Sequence, residues 1–172
     1  MTDLGIKKIR ITGGEPFARK NIMNLIEKIA SNKAIEDIGI TTNGSMIYDK
    51  LDRLKEIGVN RINFSLDTLN REKLKKITRK DDFNTTMNSI VKAQKLGFKV
   101  KINTVLIKGF NDNEIDDFIN LTKYNDLEIR FIELMPIGNA SNFDKINFRD
   151  NIDILEGYSY KDLSYDCLLY TS

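Results

Sequence analysis

A chain of 172 residues, 41% hydrophobic and 30% charged, has the composition of one globular domain with a real core, which excludes disorder. A net charge of +2 is too near balance to imply a nucleic-acid or membrane surface. No apolar run approaches the roughly 20 residues of a membrane span and Met1-Thr2-Asp3-Leu4 is no secretory signal, so a soluble cytoplasmic domain is expected.

Short β-branched runs alternate with amphipathic stretches along most of the chain. The pattern predicts strands at Lys7–Ile11, Asp37–Thr41, Arg61–Ser65, Lys99–Val105 and Glu128–Glu133. Helices are expected between them at Lys20–Ala30, Ile47–Ile57, Arg71–Ile77 with Phe83–Leu96, and Asn113–Tyr124. Such alternation predicts an α/β fold, a parallel sheet with outer crossover helices, wound as an open sheet or as part of a barrel. Gly5, Gly58 and Gly97 each fall between a helix and the next strand, where a left-handed residue closes the helix.

Strand parity separates two faces. Ile9 and Ile11, Ile38 and Ile40, Ile62 and Phe64, Val100 and Ile102, and Ile129 and Phe131 form the apolar face that crossover helices need. The opposite face presents Lys8, Arg10 and Thr12, then Gly39, Thr41 and Asn43, then Asn63 and Ser65, then Lys101 and Asn103, then Arg130. Unpaired buried charge is costly, so this face is expected to line a wet cavity whose cations want an anion. A one-sided sheet with the polar face in solvent is the alternative.

The sharpest local signal is Arg10-Ile11-Thr12-Gly13-Gly14-Glu15-Pro16, which leaves a strand and enters a helix. Its glycines allow close backbone approach, and Glu15 with the backbone polar groups suits the charged ends of an amino acid. Thr12-Gly13-Gly14-Glu15-Pro16 resembles the motif of radical S-adenosylmethionine (SAM) enzymes that meets the methionine part of SAM. Ile40-Thr41-Thr42-Asn43-Gly44, Asn63-Phe64-Ser65-Leu66-Asp67, Lys99-Val100-Lys101-Ile102-Asn103-Thr104-Val105 and Arg130-Phe131-Ile132-Glu133-Leu134-Met135-Pro136 follow in order, each at a predicted strand. Together they resemble the GTP 3′,8-cyclases of molybdenum cofactor biosynthesis, over roughly Leu4 to Asn147.

The resemblance implies a partial (β/α) barrel of the radical SAM type over 1–147, with the family's first strand missing and a truncated or non-native tail over 148–172. It implies SAM contacts at Gly14, Ser65 and Met135, and GTP contacts at Arg10, Thr41 and Lys101; Glu15, Asn103 and Arg130 complete the set. Arg and Lys suit phosphate oxygens on chemical grounds too. Equally open are a turn hydroxyl at Ser65, a helix cap at Thr41, core packing at Met135 and a structural amide at Asn103.

The implied cofactors are SAM and two [4Fe–4S] clusters, the implied partners GTP and an external electron donor, with a homodimer open for the intact protein. The family holds its first cluster on CX3CX2C and its second on three further cysteines, whereas this sequence has one cysteine, Cys167, and no histidine. The chain alone is therefore expected to be inactive in reductive SAM cleavage, with its retained residues belonging to ligand positioning. From Gly157 no period is sustained, and Cys167-Leu168-Leu169-Tyr170-Thr171-Ser172 resembles translated adapter read-through. Another radical SAM enzyme, or a cluster-free nucleotide-binding module, is the competing expectation.

Overall fold

Branched or aromatic residues at every second position define five strands: β1 (Lys8–Ile11), β2 (Asp37–Thr42), β3 (Arg61–Ser65), β4 (Lys99–Leu106) and β5 (Leu127–Glu133). The computed structural model describes residues 5–123 and 125–134. The strands form one parallel sheet in the order β1-β2-β3-β4-β5. Helices connect them: α1 (Ile22–Ala30), α2 (Leu51–Glu56), α3 (Arg71–Thr78), α4 (Phe83–Lys95) and α5 (Ile115–Lys123). The strand expectations are met within a residue at each end. Short 3-10 turns, Tyr48–Lys50 and Asp112–Glu114, take up the first residues of two predicted helices.

The core of the described residues lies on one face of the sheet. Ile40, Ile62, Phe64 and Ile102 are fully buried there beneath Ile26 of α1, Leu51 and Leu54 of α2, Leu74 of α3, Ile90 and Ala93 of α4, and Phe118 of α5. Each such side chain contributes about 1.5–3 kcal/mol relative to exposure. On the edge strand, Phe131 meets Phe118 edge-on, with ring centroids 6.1 Å apart. Gly58 (φ +88°) and Gly97 (φ +72°) close α2 and α4 as expected, and the next residues donate back to Leu54 and Ala93 carbonyls.

All five helices contribute to that core, so none is left for the polar face. The apolar stripe on each helix can be buried only against the isoleucine face. The described helices leave the polar face of the five-stranded arc without a helix of its own, yet Asn63 is buried there and the Lys101 side chain is only 22% exposed. Met135, Cys167, the predicted boundary at 147 and the tail 148–172 lie outside the described residues.

One glycine is fixed by space as well as by torsion. Gly44, just after β2, has φ +83°, and a Cβ there would come within 2.9 Å of Thr86 Cγ2 and 3.0 Å of Phe64 Cδ1. The loop is pressed against α4, where Thr86 and Ser89 donate to the carbonyls of Asn43 and Gly44 at 3.1 and 2.8 Å. Gly44→Ala is expected to cost about 2–4 kcal/mol, strain and overpacking together. Gly58→Ala, where a Cβ meets nothing within 4 Å, should cost only the torsional part, about 1 kcal/mol. Urea unfolding of the two variants measures the difference, and equal losses would contradict the packing at Gly44.

Candidate functional site

Strand register decides which predicted residues meet. Thr41, Asn63, Lys101 and Glu128 form one row across β2 to β5 on the polar face. The next row toward the carboxyl ends is Ser65, Asn103 and Arg130. Arg10 lies one row the other way, with Gly39, Arg61 and Lys99. Neighbouring strands are about 4.8 Å apart, so Thr41 and Lys101 are about 10 Å apart at the backbone. Residues assigned to GTP therefore sit deeper along the strands than Ser65 and Gly14 at their ends.

Gly39 lies between Arg10 and Arg61 in the register. A Cβ on Gly39 would lie 4.0 Å from Arg10 Nε and 3.9 Å from Arg61 Cβ. Arg61 forms an ion pair with Asp37, and its Nε is buried without a partner among the described residues. Lys101 is paired with Glu128, Nζ to Oε2, at 2.5 Å. Asn63, between Thr41 and Lys101, is buried. In the upper row Ser65 is exposed, and Asn103 Oδ1 is a buried acceptor with no donor among the described residues.

Glu15 joins two loops. Its Oε1 accepts from Thr42 Oγ1 at 2.8 Å and from the Phe17 N–H at 3.1 Å. Its Oε2 accepts from Thr42 Oγ1 at 2.9 Å and from the Asn43 N–H at 2.7 Å. Both oxygens are thus occupied in joining the loop after β1 to the end of β2. These bonds give Glu15 a structural role beside the ligand contact expected of it. Thr42, not Thr41, is the hydroxyl drawn into this loop.

A second strut of the same design went unread in the sequence. Glu114, before α5, accepts from Thr68 Oγ1 at 2.9 and 2.7 Å, from the Leu69 N–H at 2.7 Å and from Lys73 Nζ at 2.7 Å. In both struts the threonine hydroxyl also accepts from the N–H two residues on, Gly44 in one and Asn70 in the other. Nearby, Asn111 is fully buried and bridges the carbonyls of Asp67 and Val105 while accepting from the Ile107 N–H. Asp67 accepts from the Val105 N–H at 2.9 Å, and burial pushes its carboxyl above the usual range. No local motif announces these partners, because Glu114 and Thr68 are 46 residues apart.

Arg61 and Glu128 were missed for a simpler reason. Each is two residues from a predicted face member, Asn63 and Arg130, so parity would have placed both on the strip. Two hollows flank the strand ends. One of about 140 Å³ is lined by Asn43, Ser65, Leu66, Leu74 and Thr86 among others. A wider one of about 400 Å³ lies between the Tyr48–Lys50 turn and α4 and contains none of the predicted residues. It shares Ser45 with the smaller hollow.

The sequence profile of the Radical SAM superfamily matches residues 1–122. The chain belongs to the radical SAM superfamily. A GTP 3′,8-cyclase of Desulforamulus reducens is 50% identical over 161 residues, 93% of this chain and 50% of that protein. One from Clostridium botulinum is 45% identical over 157 residues, covering 91% of this chain and 49% of its own length. The cyclase of Petrotoga mobilis is 48% identical over 141 residues, 81% and 44% of the respective chains. The chain thus spans about half the length of the curated relatives it matches.

Solved structures share the fold. SuiB of Streptococcus suis bound to its precursor peptide superposes with a TM-score of 0.70 at 20% identity, over 90% of this chain and 35% of that one. SuiB bound to SAM gives 0.69 at 20% identity, over 90% and 36%. Methylornithine synthase gives 0.58 at 19% identity, over 77% and 40%. These likenesses show that the five-stranded arc is a fold shared with those proteins.

The family's cofactors are SAM and [4Fe–4S] clusters, and the residues here fit the two differently. For SAM, Gly13 and Gly14 leave the backbone open, since a Cβ on either would meet nothing within 4 Å. The exposed Ser65 hydroxyl and the orphan Asn103 acceptor add polar groups suited to such a ligand. A cluster needs several thiolates, and Cys167 is the single cysteine of the sequence. The residues present therefore do not fit a cluster. No group of three metal-ligating side chains occurs among the described residues, and no described helix is long and apolar enough to cross a membrane.

The Glu114 strut yields a pH-dependent expectation. Burial raises the Glu114 carboxyl, but hydrogen bonds from Lys73, Thr68 and Leu69 and the Lys73 charge outweigh it, leaving a net pKa below the usual range. A depressed carboxyl stabilises the fold above its unfolded pKa, and that contribution is lost as pH falls through the folded value. Glu114→Gln is expected to cost about 1–3 kcal/mol at neutral pH. The gap from wild type should close on acidification. Urea unfolding across pH measures it, and a gap that persists at low pH would contradict the charged strut.

Proposed function

We propose that the chain is the ligand-positioning part of a GTP 3′,8-cyclase, an enzyme of molybdenum cofactor biosynthesis. In that reading GTP becomes (8S)-3′,8-cyclo-7,8-dihydroguanosine 5′-triphosphate, through a new bond between ribose C3′ and guanine C8. The observation that carries the reading is the 45–50% identity to cyclases over about nine-tenths of the chain. The polar strip supports it, since Arg10, Lys101 and Arg130 form a cationic face suited to a triphosphate. SAM and clusters supply the radical chemistry in such an enzyme, and the protein supplies position and electrostatics.

Within this reading, Arg10, Thr41 and Lys101 hold the nucleotide, with Arg130 a further cation on the same face. Gly14, Ser65 and Met135 hold SAM at the strand ends, Asn103 orients the ligands between the rows, and Glu15 keeps the Gly13–Gly14 turn in place from behind. An external electron donor, a cytoplasmic setting and assembly as a homodimer belong to the same proposal.

The test separates the two ligand sets. Lys101→Met keeps length and apolar volume but removes the ammonium, and should weaken GTP binding by about 1.5–3 kcal/mol while SAM binding is retained. Ser65→Ala should lower SAM affinity and leave GTP nearly unchanged. Isothermal titration of both ligands against both variants measures this. Normal GTP binding by Lys101→Met, or equal weakening of both ligands by each variant, would overturn the assignment.

A further inference from the structure

Lys101 and Glu128 face one another across the last strand pair as register partners, with Nζ 2.5 Å from the carboxylate. The two side chains differ in setting. That of Lys101 is 22% exposed and that of Glu128 is 68% exposed. An ion pair with so exposed a partner adds little to stability, and its carboxylate moves into solvent at small cost. Its effect on the strip is greater. In the row Thr41, Asn63, Lys101 and Glu128, Lys101 is the one cation and Glu128 the one anion. The contact turns the ammonium toward β5, away from Asn63 and Thr41 and from Arg10 on β1.

We propose that Glu128 is an internal anion that holds Lys101 until a polyphosphate displaces it, which makes Glu128 a positioning residue for the phosphate-binding cation. The inference rests on the nucleotide reading of this face. A polyphosphate carries several negative charges to the place where Glu128 supplies one. Once it is seated, a neighbouring carboxylate is repelled, and its exposure gives it somewhere to go. Affinity for the phosphate end is then set by competition between two anions for one ammonium.

The test titrates wild type, Glu128→Gln, Glu128→Ala and Lys101→Met with GTP, inorganic tripolyphosphate and guanosine, at low and at physiological salt. Both Glu128 variants should bind GTP and tripolyphosphate about threefold to fivefold more tightly, the scale of an exposed ion pair. The gain should shrink as salt rises, and guanosine binding should not change. A structural role for Glu128 would give none of this salt dependence. Unchanged or weaker polyphosphate binding by both Glu128 variants, alongside weakened binding by Lys101→Met, overturns the inference and leaves the nucleotide reading standing. A gain that extends equally to guanosine also overturns it. Wild-type polyphosphate affinity in Lys101→Met removes the nucleotide reading and the inference together.

Discussion

Two buried or half-buried carboxylates, each received by a threonine hydroxyl and the N–H after it, hold the carboxyl end of this sheet in shape. Parallel strands end in loops whose backbone groups have lost their ladder partners, and those groups need replacements if the loops are to keep one conformation. Glu15 supplies them to the loop after β2 and Glu114 to the loop after β3. The first of these loops is also braced from the far side by Thr86 and Ser89 of α4. Gly44 lies at the point of closest approach, where no side chain fits. The glycine turn, Asn43 and Ser65 are therefore presented from a fixed rim, as a ligand site at strand ends requires.

The rim and the strip below it are electrostatically different. At the rim, the Glu15 carboxylate is held by neutral donors and that of Glu114 by neutral donors and Lys73. Along the strip, two cations carry acidic partners from adjoining strands, Arg61 with Asp37 and Lys101 with Glu128. The Asp37 pair is the better buried and has a structural character, whereas the Glu128 pair is half in solvent. Pairing of this kind lowers the cost of keeping cations on a partly buried face. This links the one-sided packing of the helices to the paired charges of the opposite face.

Much of this was legible from residue order. Isoleucine at alternate positions gave the strands and their buried face, and the glycines at 58 and 97 gave the helix ends. The same parity put Arg10, Thr41, Ser65, Lys101, Asn103 and Arg130 on one side, and the register aligns them in rows. What was not legible depends on partners distant in sequence. The bonds from Thr42 and Asn43 to Glu15, and from Thr68 and Lys73 to Glu114, join segments that no local pattern connects. The polar lining was inferred from strand parity and the cost of unpaired buried charge, and the burial of Asn63 and of Asn103 Oδ1 within it became visible only with the strands in register.

The central claim is that the nucleotide lies on the polar strip and not against the helices. Lys101 and Lys92 make a matched pair of reporters for it. Their side chains are 22% and 23% exposed, and each is held 2.5 Å from an exposed carboxylate, Glu128 and Asp52. They differ in place, Lys101 on the strip and Lys92 on α4. The most direct measurement is the rate of lysine acylation with and without GTP, read by mass spectrometry of the peptides. The account predicts that GTP slows modification of Lys101 and leaves Lys92 unchanged; equal protection of both, or protection of Lys92 alone, would contradict it.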